Sequence, residues 1–112
     1  MVFCTTPDLK TAQVISEHLI DKNLAACCNI LPAVESVYKW KGKVEKGQEC
    51  MLLIKSTEEN YQKIENAIIK VHPYEVPEVI ATQIIAGSAP YLDWIKKVCS
   101  FSGVKPYWAG FL

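Results

Sequence analysis

The chain has 112 residues, 50% hydrophobic and 21% charged, with no low-complexity tract, so it reads as one globular domain over residues 1–112 rather than a disordered chain. Twelve acidic residues balance twelve basic ones, and every basic residue is a lysine. Without an arginine fork for phosphate or guanine, and without a basic footprint, nucleic acid is excluded as an expected partner.

No apolar run approaches the roughly 18–20 residues that span a bilayer, so membrane insertion is not expected. The expected location is the cytoplasm, or an organelle if a leader has been removed from a longer precursor. Five cysteines, with no CxxC pair among them, fit free thiols in a reducing compartment.

In chain order, residues 1–6 form an apolar run that predicts a first strand, ending at Pro7. Asp8 is placed to cap a helix in which Ala12, Ile15 and Leu19 recur at helical spacing up to about Lys22. Residues 24–31 predict a second strand, interrupted by Pro32 at a bulge or sheet edge. Beyond the proline, Val34, Ser36, Tyr38 and Trp40 alternate with Glu35, Val37 and Lys39. Lys41-Gly42-Lys43 is a tight turn into a third strand over residues 44–56, and the two strands form an overlong hairpin.

Thr57 is a candidate cap for a second helix, in which Tyr61, Ile64, Ile68 and Val71 share one face and which must stop before Pro73. Residues 79–85 are rich in β-branched side chains and predict a fourth strand. Pro90 opens a short third helix carrying Tyr91, Trp94, Ile95 and Val98, and residues 102–112 are expected to form an irregular tail.

This order of strand, helix, strand, strand, helix, strand is the split βαβ, or ferredoxin-like, α+β sandwich. A hairpin roughly 40 Å long, at about 3.3 Å per residue, overhangs such a sheet. Its unpaired edges and its Tyr38 and Trp40 side chains call for a second subunit as cover. Lys39, Lys41, Lys43 and Lys46 at its tip read as solvated residues that discourage edge pairing. Tyr74, Trp40 and Trp94 are expected to pack in a core or interface, and Cys27 and Cys50, in apolar runs, to be inert core thiols.

The segment His72-Pro73-Tyr74-Glu75-Val76-Pro77-Glu78 sets an imidazole and carboxylates on a backbone stiffened by two prolines. Such a segment holds metal-ligand atoms in fixed positions, and Cys4 at the end of the first strand is a plausible soft donor nearby. The residues alone leave a second use open. A histidine before proline also suits a helix C-terminus, and Glu75 and Glu78 can face solvent.

Cys4-Thr5-Thr6-Pro7-Asp8, Leu24-Ala25-Ala26-Cys27-Cys28-Asn29, Tyr38-Lys39-Trp40-Lys41-Gly42-Lys43, the His72 to Glu78 segment and Tyr91-Leu92-Asp93-Trp94 resemble, in order, the signature blocks of the CutA divalent-cation tolerance family. The resemblance runs from Val2 to about Val98, departs from the family at Cys28, where an aliphatic residue is usual, and does not cover the tail. It implies a homotrimer with hairpins exchanged between neighbours, an assembly akin to the PII signalling proteins, and a role in copper tolerance. It also implies Cys4, His72 and Glu78 as metal ligands. Thiolate tends to reduce Cu(II), so a labile copper site is expected, with no metal required for folding.

The function expected is therefore a non-catalytic, homotrimeric copper-binding protein of metal homeostasis. Two alternatives stand beside it: a PII-like module that binds a small molecule between subunits, and an assembly or trafficking partner, as the family's eukaryotic members suggest. An enzyme is not expected, because Cys4 and His72 come with no evident orienting residue or oxyanion feature.

Overall fold

The structure is a computed structural model and describes residues 1–100. Its elements are β1 (Val2–Thr6), α1 (Leu9–Asp21), β2 (Cys27–Trp40), β3 (Lys43–Lys55), α2 (Tyr61–Val71), β4 (Val79–Ala81) and α3 (Ala89–Cys99). The four strands form one sheet in the order β2-β3-β1-β4, with every pairing antiparallel. This is the strand order that the split βαβ reading requires. The expected irregular tail lies outside the described residues.

Because side chains alternate across a strand, β1 sends Val2, Cys4 and Thr6 to one face, where Cys50, Leu52 and Ile54 of β3 join them. Ala12, Ile15 and Leu19 of α1 and Ile64 and Ile68 of α2 close over that row to make the core. Asp8 caps α1 as its position suggests, its carboxylate accepting from the Thr11 N–H at 2.7 Å. Thr57 instead precedes a short 3-10 turn at Glu58–Asn60 and makes no side-chain cap bond. Asn60 is buried and donates to the Leu24 carbonyl at 3.2 Å and the Cys99 carbonyl at 3.0 Å, which ties the end of α3 to the start of β2.

The hairpin has two unlike halves. Its root is paired to β1 from Thr6↔Cys50 to Val2↔Ile54. A register shift between Leu31 and Val34, with Ala33 at φ 57°, marks the bulge expected at Pro32. Beyond it, β2 and β3 pair only with each other out to Trp40↔Lys43, around a turn with Lys41 and Gly42 at positive φ. In this arm Val37 is 59% and Val44 65% exposed, and the long axis of the chain reaches 54 Å.

Two expectations need correction. The fourth strand ends at Ala81 rather than residue 85, its last pairing with β1 being Val2↔Ala81. The Met1 and Thr82 backbones exchange the last hydrogen bonds, and Ile85 is then 93% exposed. Cys27 is not a core thiol but a half-buried one on the face opposite α1 and α2, beside Tyr91 of α3; its neighbour Cys28 packs against the core, and Cys50 is buried as expected. Trp40 and Trp94 are exposed within the single chain, which leaves an interface as the place for the packing expected of them.

Candidate functional site

Two elements bring Cys4 and His72 together. β1 lies inside the sheet, between β3 and β4, so Cys4 is fully buried opposite Leu52 and Val79. α2 runs back over the sheet and stops at His72, whose N–H still bonds the Ile68 carbonyl while its ψ of 133° turns the chain out of the helix ahead of Pro73. His72 is only 8% exposed.

The two side chains meet on one atom. The carbonyl oxygen of Thr5 lies 2.7 Å from His72 Nε2 and 3.6 Å from the Cys4 sulfur. Those donors are therefore separated by no more than the two distances combined. The Tyr74 N–H donates to His72 Nδ1 at 3.1 Å. An acceptor at Nε2 and a donor at Nδ1 assign the neutral tautomer protonated on Nε2. Both ring nitrogens are thereby engaged.

Charge around the thiol is unfavourable to ionisation. Burial pushes the Cys4 thiol up to about 12, and the carboxylates of Glu78 and Glu49 add to the effect. Glu78, exposed after Pro77, shares a cleft wall with Thr5, and its charge is felt at the Cys4 thiol. Tyr74 donates its hydroxyl to Glu49 Oε2 at 2.8 Å, and desolvation followed by this hydrogen bond and the Glu49 charge raises the phenol as well. The His72 and Tyr74 rings lie 4.7 Å apart at a 51° tilt.

Glu49, Tyr74 and Glu78 border a cleft of about 760 Å³ between the arm and the loop after α2, with Thr5, Tyr38 and Trp40 also among its walls, whereas Cys4 and His72 lie behind the lining. A cleft of similar volume, about 770 Å³, lies between the chain start and α3 and contains none of the candidate ligands. Cys4 and His72 thus share one acceptor while Glu78 stands on the cleft wall, and the three do not form a metal cage. Among the described residues no group of three or more His, Cys, Asp or Glu side chains is arranged to hold a metal ion.

The Thr5 carbonyl and Glu49 were not legible as parts of this corner. A backbone acceptor has no letter in the sequence, and Glu49 reaches Tyr74 only through strand register. Among the described residues no helix is long and apolar enough to cross a membrane.

The family model described as CutA1 divalent ion tolerance protein matches residues 1–98. The chain is 39% identical to the Divalent-cation tolerance protein CutA of Thermus thermophilus, with 87% of this chain and 94% of that protein covered. It is 38% identical to Protein CutA, chloroplastic, of Arabidopsis thaliana over 86% of its own length, and spans 53%, about half, of that longer protein. The crystal structure of CutA1 from a psychrotrophic Shewanella matches with a TM-score of 0.84 at 45% identity, covering 87% of this chain and 91% of the other. A family match over 98 residues, a bacterial relative covered almost end to end and a solved structure of the same shape agree: the chain belongs to the CutA1 divalent ion tolerance protein family.

Proposed function

We propose that the chain is a non-catalytic divalent-metal protein of metal tolerance, acting as a homotrimer and taking up copper as cargo at a labile site made by Cys4, His72 and Glu78. The observation that carries this reading is the convergence of Cys4 and His72 on the Thr5 carbonyl, where the thiol also feels the Glu78 charge. Thiolate and imidazole suit copper, and the carboxylate adds charge. A thiol held up to about 12 and an imidazole with both nitrogens engaged must give up protons or partners before they ligate. Affinity should therefore be modest, binding should release protons, and acid should weaken it.

The same thiol argues against an enzyme, since an activated cysteine nucleophile has a depressed rather than a raised pKa. The trimer, with a PII-like arrangement, is supported by the arm, whose apolar side chains find no cover within one chain. A nucleotide in the cleft is disfavoured by its glutamates and by the lack of arginine. Five free cysteines support a reducing compartment such as the cytoplasm.

The test is isothermal titration of the reduced, metal-free protein with Cu(I) and Cu(II), repeated on a Cys4→Ser, His72→Ala double variant. The double variant should lose copper binding and keep the assembly. Undiminished affinity would move the site to Cys27, Cys28 or Cys50 and overturn the assignment.

A further inference from the structure

We propose that the hydrogen bond from Tyr74 to Glu49 is a latch that keeps the remaining lone pair of His72 covered, so that access to this imidazole depends on where the hairpin holds its loop. His72 donates from Nε2 to Thr5, which leaves Nδ1 as the ring's one lone pair, and the Tyr74 N–H occupies it at 3.1 Å. The Tyr74 ring adds a second cover by packing against the imidazole. Tyr74 thus shields His72 with its backbone and its side chain together.

What fastens Tyr74 is the hairpin. Residues 73–78 form no helix or strand, and Val76 is 66% exposed. Among the described residues, the side-chain tether from this loop to another element is the 2.8 Å bond from the Tyr74 hydroxyl to Glu49. Glu49 stands where the hairpin changes character. Its neighbour Cys50 is the last β3 residue paired to β1, while Glu49 itself pairs with Val34, the first residue past the bulge.

A displacement of the arm is therefore felt first at Glu49, then at Tyr74, then at the Nδ1 lone pair. Covering or releasing the arm opens or closes the imidazole without any contact to it. In its consequence for cations, this inference rests on the reading of His72 as a ligand; the latch itself does not.

The experiment uses the reduced, metal-free chain and diethylpyrocarbonate, which acylates an imidazole nitrogen through its free lone pair. His18, exposed on α1, is the internal reference and is the only other histidine in the chain. Wild-type His72 should react more slowly than His18. Tyr74→Phe, which keeps the ring packing, should speed His72 relative to His18 by about three- to tenfold, the worth of one hydrogen bond. Glu49→Ala should do the same, and Glu49→Gln, which keeps an acceptor, should stay near wild type.

Equal His72 rates in wild type, Tyr74→Phe and Glu49→Ala would overturn the latch, as would a wild-type His72 that already matches His18. Copper titration of Tyr74→Phe then separates the two claims. Tighter binding by a similar factor supports both, whereas faster labelling with unchanged copper affinity keeps the latch and removes His72 from the ligand set.

Discussion

The root and the arm of the hairpin belong to the same two strands and one antiparallel ladder, yet they are finished to different degrees. At the root, Cys50, Leu52 and Ile54 are buried between β1, β2 and two helices. In the arm the ladder continues, but Val37, Tyr38, Trp40 and Val44 remain exposed. Backbone pairing fixes the shape of a strand without supplying burial, which must come from something lying on its face. The arm is therefore the part of the molecule left without cover, and the Cys4 and His72 corner sits at its base.

The contrast predicts opposite responses to substitution. Ile54→Ala at the root leaves a cavity in the core and should cost about 2–5 kcal/mol in urea unfolding. Tyr38→Ser with Trp40→Ser in the arm should leave the circular dichroism of the fold unchanged but shift sedimentation toward lighter species. If the arm pair instead unfolds the isolated chain, or if Ile54→Ala is neutral, the division between the two halves is wrong.

A smaller effect sharpens the account of the site. The Cys4 thiol is raised from an ordinary value of 9.0 to about 12, so the folded protein holds this proton when the unfolded chain releases it. Its contribution to stability is therefore complete below about pH 9 and is lost as pH rises toward 12. Cys28, raised to about 11 by burial, acts in the same direction. Replacing Cys4 by Val should flatten part of the alkaline loss measured by denaturant midpoints against pH. An unchanged alkaline slope would mean that Cys4 is not the protected thiol.

How much of this was legible in the sequence follows from which interactions are local. The Asp8 cap, the turn at Lys41 and Gly42, the bulge at Pro32 and the stop of α2 at His72 each depend on a few adjacent residues, and each was found where expected. The end of β4 was not legible, because it follows the long-range pairing with β1, which stops at Val2↔Ala81, rather than the propensity of residues 82–85. The face that Cys27 takes depends on register, which its apolar neighbours do not specify. Cys4, His72 and Glu78 were recognised as a set from the family resemblance. Their shared carbonyl and the reach of Glu49 to Tyr74 join β1, the hairpin and the loop after α2, a long-range geometry that no short motif contains.

The central claim is that the arm is completed by further copies of the chain and that metal is not what holds them. Sedimentation equilibrium of the reduced, chelator-treated protein at micromolar concentration tests it most directly. The account predicts three times the 12.6 kDa chain mass, unchanged when copper is added. A stable, folded species of one chain mass, or a trimer that dissociates on chelation, would contradict it.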